Sequence, residues 1–205
     1  ITLFHNRSGS YISLGGVYEV KNKSTTIKEI TAKVFRQSDN ATLSLIWSTF
    51  PSPIYRKVAG NFETSFETAH SFKVEADTLA PAFVEFADKC ANMDEVSNNI
   101  LYPVVCATMP IFSQPNATLP IVDGAVRALP EYALAKIALN DHFFWKADEY
   151  EMVITTIHSK GTFDKKYVFS LSDAESFRLR NNIDSVLVSH VANHFGIPVQ
   201  VNTVA

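Results

Sequence analysis

Residues 150–171 read YEMVITTIHSKGTFDKKYVFSL, and this stretch decides the fold class. From Phe163 to Leu171 the residues alternate. Phe163, Tyr167, Phe169 and Leu171 fall on one side of an extended chain; Asp164, Lys166 and Ser170 fall on the other. A period of two marks a strand with one buried face, because successive side chains point to opposite faces. Ahead of it, Tyr150 to Ser159 carries Met152 and Ile154 on one face and Val153 and Ile157 on the other. That predicts a central strand buried on both faces. Ser159-Lys160-Gly161 is turn chemistry, so the two runs read as a hairpin.

The same period recurs toward the N-terminus. Ile27 to Gln37 sets Ile30, Ala32 and Val34 against Glu29, Thr31 and Lys33, and Leu43 to Phe50 aligns Leu43, Leu45 and Trp47. Pro51-Ser52-Pro53 should stop that second strand, since proline donates nothing to a ladder. Gly16–Asn22, His70–Ala76 and Ala82–Ala87 are shorter extended runs, the last with Phe83 and Phe86 around Val84. About seven short strands separated by turn residues predict an antiparallel β-sandwich.

Helical signals lie elsewhere. Met93, Val96, Ile100 and Leu101 recur at helical spacing, with Pro103 ending or kinking that helix. Residues 109–120 hold three prolines and read as loop. Pro130 opens a second helix with Tyr132, Leu134, Ile137 and Ala138 as its apolar stripe and Asn140 near its stop. Ser172-Asp173-Ala174-Glu175 is a capping box, in which the serine hydroxyl and the glutamate carboxylate satisfy each other's backbone amides. A helix should run from Asp173 to Phe195, with a break at Asn181-Asn182, and end at Gly196 before Pro198. Val199 to Ala205 is apolar enough to add an edge strand or to stay frayed.

The fold class is therefore mainly β with helical additions. Strands from 11–88 and 143–171 close onto each other as two facing layers, 89–140 is a helical insertion, and 172–196 is a C-terminal helix, all within one domain over 1–205. Trp145 to Met152 resembles the start of a penultimate strand with a tyrosine corner, in which the Tyr150 phenol bonds backbone a few residues upstream. Trp47 takes the place of a central core residue on a third strand. Val17 to Ser24, with Ile27 and Ile30, also looks like strands of immunoglobulin-like domains. The resemblance is to the immunoglobulin-like architecture rather than to a named family. No cysteine pair brackets Trp47, unlike in antibody-type domains. That architecture carries many functions and implies no single one.

Composition narrows the function classes. The chain has 205 residues, of which 19% are charged and 12% aromatic, with net charge −3, so it lacks the broad basic footprint of a nucleic-acid binder. No apolar run approaches a membrane span. Cys90 and Cys106 exclude a disulfide-dense scaffold, and two buried thiols are favoured over one bridge. Asn6, Asn22, Asn40 and Asn116 begin N-x-[ST] sequons, and the chain starts at Ile1. The sequons lean slightly toward a secreted or extracytoplasmic protein, while the Ile1 start fits a processed or a trimmed chain, mature or cytoplasmic alike.

Four constellations are candidates for function. His190 and His194, at i and i+4, share a helix face and can hold zinc, with a third ligand from His158, His142 or Asp141. The glutamate of H-E-x-x-H is missing, and two histidines near a helix C-terminus are also favourable simply as charges. Asp148, Glu149 and Glu151 form a carboxylate cluster for which a solvated turn is the competing account. Lys165-Lys166 and Arg178 with Arg180 are small basic groups that a mixed-sign surface explains equally well. Phe143, Phe144 and Trp145 are candidate binding aromatics if one faces solvent; otherwise the insertion covers them. The expected function is a non-enzymatic module that binds a protein partner or itself, with no bound cofactor. Its rivals are a self-assembling subunit of a surface layer, fibre or shell, and a metal-dependent hydrolase built on His190 and His194.

Overall fold

The computed structural model describes residues 1–6, 9–58, 61–88, 97–112, 119–194 and 203–204. At 6, 51–58, 61–66, 97, 112, 119–122, 189–190, 192–194 and 203–204 it describes the backbone alone. Seven strands come first: β1 (Thr2–Asn6), β2 (Gly9–Val20), β3 (Thr25–Arg36), β4 (Thr42–Val58), β5 (Asn61–Thr68), β6 (Phe72–Val74) and β7 (Thr78–Asp88). A π-helical turn over Ser97–Leu101 leads into α1 (Tyr102–Phe112), α2 (Leu119–Arg127) and α3 (Pro130–Asp141). The chain closes with β8 (Asp148–His158), β9 (Gly161–Leu171), α4 (Asp173–His194) and β10 (Thr203–Val204).

The described strands join in one antiparallel sheet, in the order β10-β1-β2-β7-β4-β3-β8-β9, with β5 on β4 and β6 on β3. The two layers expected from the strand spacing are thus halves of one curled sheet. The late hairpin joins the early strands through a ladder running from Ile27↔His158 to Arg36↔Tyr150. Right-handed twist accumulates from strand to strand and bends such a sheet. The bend is large enough that Tyr18 Oη on β2 shares a 3.1 Å hydrogen bond with Thr156 Oγ1 on β8, although β7, β4 and β3 lie between them in the pairing order.

The concave face is the core. Register places Ile12 opposite Phe86, Val34 opposite Leu43 and Met152, and Tyr150 opposite Arg36, and these residues are all buried. Leu179, Ile183, Val186, Leu187 and Val191 of α4 belong to the same cluster, so α4 fills one end of the curl. Ile30, Ala32 and Val34 are buried as the alternation requires, and so are Leu43, Leu45 and Trp47. The hairpin turn is Ser159-Lys160, followed by Gly161 at φ +146°, a conformation L side chains rarely adopt.

Several expectations fail for identifiable reasons. Pro51-Ser52-Pro53 does not end β4. The ladder to β5 shifts register between Pro51 and Tyr55, and β4 has left both β3 and β7 by that point. A proline is tolerated where one edge is open and the pairing is irregular. β8 is buried on one face, through Tyr150, Met152, Ile154 and Thr156, while Val153 and Ile157 are half-buried on the uncovered convex face. On β7 the inward residues are Ala82, Val84 and Phe86, and Phe83 is exposed.

Pro103 does not end a helix: it falls where the π-helical turn Ser97–Leu101 passes into α1, which runs on to Phe112. α1 then covers 109–112, which reads as loop in the sequence. Pro130 does start α3, but the buried residues are Tyr132, Ala135 and Leu139, leaving Leu134 and Ile137 exposed. α4 passes Asn181-Asn182 unbroken, since packing of its apolar face outweighs the weak helix propensity of asparagine. The capping box forms: Ser172 Oγ donates to Glu175 Oε2 at 2.6 Å, and the Glu175 amide donates back at 3.3 Å. β10 pairs with β1 as the expected edge strand. Cys90, Met93, Val96, Asn116, Gly196 and Pro198 lie outside the described residues.

Candidate functional site

The residues singled out in the sequence do not converge. Phe143 and Trp145 are core residues, at 2% and 0% exposure, and Phe144 is half-buried, so a surface role remains open to Phe144 alone. They share one core cluster with Leu101, Val104 and Tyr132 of the insertion. Phe143 meets the His5 ring edge-on at 5.4 Å and carries the Arg180 guanidinium over its face at 5.2 Å. The Trp145 carbonyl accepts from Ser176 Oγ at 2.8 Å. Arg36 pins the segment from the other side. It is buried, donates to the Phe144 carbonyl at 2.5 Å, lies over the Phe144 ring, and makes two bonds to Asp39 at 2.9 and 2.6 Å. That pairing holds the Asp39 carboxyl down at about 2. The Tyr150 phenol donates to the Lys146 carbonyl at 2.6 Å, four residues upstream, as the tyrosine-corner resemblance implies. Burial pushes its pKa up to about 12.

The titratable candidates have local partners. Asp148 accepts from the Ser38 hydroxyl, which lowers its pKa, and Glu151 pairs with Lys166 at 2.5 Å. Glu149, Asp141 and His142 are exposed. His158 Nδ1 lies 3.4 Å from Thr25 Oγ1 and accepts from the Lys160 amide at 3.3 Å. The side chains of His190 and His194 lie outside the described residues. Among the described residues, no three His, Cys, Asp or Glu side chains form a group able to hold a metal ion. Cys106 is a free thiol on the exposed side of α1, not the core-facing position read from the sequence. Among the described residues, no helix is long and apolar enough to cross a membrane.

Two surfaces that the sequence did not single out do assemble. The first is a trough on the concave face, lined among the described residues by strand and turn residues, with a volume of about 630 Å³. Ile27, Ile30, Val84 and Ile154 lie beneath it, almost wholly covered, and the Tyr18–Thr156 hydroxyl pair lies in its wall. Desolvation raises the Tyr18 pKa, so the phenol is neutral at pH 7. Lys21, Lys160 and Lys165, all exposed, stand at its mouth with Glu19. The second surface is on the convex face, where β2 and β7 pair Gly15↔Phe83, Val17↔Pro81 and Glu19↔Leu79. Leu79, Val17 and Phe83 are 70%, 61% and 44% exposed. The Phe83 ring lies so close to Gly15 that a Cβ there would come within 3.0 Å of it. Each strand shows its part of these surfaces as alternation. The strand order that joins the parts has no local signal.

No protein-family model, curated protein or solved structure matches this chain.

Proposed function

We propose that the protein is a non-enzymatic protein-interaction module on an immunoglobulin-like, sandwich-forming sheet, and that it docks a second copy of itself through the convex face of β2 and β7. The observation that carries this is the exposed apolar group Leu79, Val17 and Phe83, brought side by side with Pro81 by the β2–β7 register. Apolar groups gathered on one face mark contact surfaces, whereas single exposed ones do not. Covering such side chains is worth roughly 1–2 kcal/mol each. The apolar group is flanked by Glu19, opposite Leu79 in the β2–β7 ladder, and its uncharged part is complementary to its own copy across a two-fold axis. The Tyr150–Lys146 corner supports the immunoglobulin-like part of the reading.

Light scattering and sedimentation velocity of the chain and of Leu79→Lys provide the test. The expected result is a concentration-dependent dimer that Leu79→Lys returns to monomer, with the far-UV spectrum unchanged. A wild-type monomer at every concentration overturns the proposal, as does a dimer indifferent to the substitution. Growth beyond the dimer also overturns the two-fold pairing, in favour of a structural subunit.

A further inference from the structure

Two of the sequons have described side chains: Asn22-Lys23-Ser24 and Asn40-Ala41-Thr42. Both asparagines are exposed, on the turns that precede and follow β3, with φ of +69° and +55°. Asparagine tolerates this left-handed region better than most residues, so each sits on its turn without the strain a bulkier side chain would meet. A group added to either extends into solvent and leaves the core untouched. The two turns lie at opposite ends of the 12-residue β3, about 40 Å apart for a strand of that length. Asn22 is the one beside the docking face. Its backbone amide donates to Asp77 Oδ1 at 3.3 Å, and Asp77 is two residues before Leu79.

We infer that Asn22 and Asn40 are acceptors of N-linked oligosaccharide, and that the Asn22 glycan masks the convex face of β2 and β7. The donor is a lipid-pyrophosphate-linked oligosaccharide of a secretory compartment. The asparagine Nδ2 attacks the donor's C1. The N–C1 bond forms as the C1–O bond breaks, the lipid pyrophosphate leaves, and Nδ2 gives up one proton. In the folded chain the Ser24 hydroxyl donates to Glu75 Oε2 at 2.7 Å and accepts from the Ala76 amide at 3.3 Å. The transferase needs that hydroxyl, so transfer at Asn22 precedes the closure of β6 onto β3. The glycan then stays on an exposed turn. An oligosaccharide is bulky and solubilising, so beside Leu79 it takes the space that a second copy would need. The masking rests on the self-docking reading, and the modification does not.

Glycine suits a positive φ and carries no acceptor, so Asn22→Gly and Asn40→Gly remove each site without straining its turn. The experiment secretes the full chain from cultured animal cells behind a cleavable leader, with Asn6→Gln and Asn116→Gln removing the other two sequons. Peptide mapping after peptide-N-glycosidase F locates the glycans, and sedimentation velocity reads the assembly. The expected result is oligosaccharide on both Asn22 and Asn40. The glycosylated chain and Asn40→Gly should stay monomeric, and Asn22→Gly should dimerise with a Kd about tenfold or more below theirs. Absence of glycan from Asn22 or from Asn40 overturns the inference, as does a glycosylated chain that dimerises as tightly as Asn22→Gly. If both glycans are mapped but Asn22→Gly and the unglycosylated chain are monomers at every concentration, the self-docking reading fails and the masking with it, while the two acceptors stand. If the chain does not leave the cell, the same species purified from the microsomal fraction give the same decision.

Discussion

Replacing His5 by leucine should make the protein less sensitive to acid. His5 is 3% exposed on β1, and among the described residues neither ring nitrogen has a hydrogen-bond partner. Its ring packs on Phe143, with the Arg180 guanidinium over the same aromatic ring. Burial lowers its pKa from 6.5 to about 4. The unfolded chain therefore takes up the proton first, and stability is lost as the pH falls below 6.5. The loss is complete once the pH is below about 4. That separation corresponds to about 3 kcal/mol in full, and to about 2 kcal/mol between pH 7 and pH 5. Several carboxylates with lowered pKa, Asp184 and Glu175 among them, also lose stability in acid. They do so equally in both proteins, so the informative quantity is the difference. Urea denaturation of wild type and His5→Leu at the two pH values should show the variant gaining about 2 kcal/mol relative to wild type on acidification. A difference that stays flat with pH refutes the reasoning, and so does an NMR titration placing His5 near 6.5.

Two further outcomes follow from the segment that joins α3 to β8. Tyr150→Phe removes the bond to the Lys146 carbonyl and should cost about 1 kcal/mol, a fall in Tm of roughly 2–4 °C by calorimetry. Arg36→Lys keeps the charge but loses the fork that reaches Asp39 and the Phe144 carbonyl together. A loss of about 2 kcal/mol in urea is expected, and a change under 0.5 kcal/mol would show that the fork is not what holds the segment.

Much of the secondary structure was legible because its causes are local. Ile30, Ala32 and Val34 face inward because a strand has period two. The capping box forms because its donors and acceptors lie within four residues of each other. The Tyr150 corner is equally local. The face of α3 was not legible, because two stripes of that helix are apolar. Tyr132 goes inward, where its phenol donates to Asp184 of α4 at 2.7 Å and Lys136 pairs with the same carboxylate, and this leaves Leu134 and Ile137 in solvent. The passage of β4 through its prolines was hidden for a similar reason, since proline is forbidden only where a neighbour needs its N–H.

By itself, the sequence determined that the chain is mainly antiparallel β, where its late hairpin turns, and how its C-terminal helix starts. Tertiary structure alone decided that β2 lies beside β7 and β3 beside β8, and that one curl replaces two separate sheets. Periodicity records which residues avoid water. It carries no information about which strand will be the neighbour, because backbone groups of every strand offer the same hydrogen bonds. The trough and the convex patch are properties of that choice of neighbours.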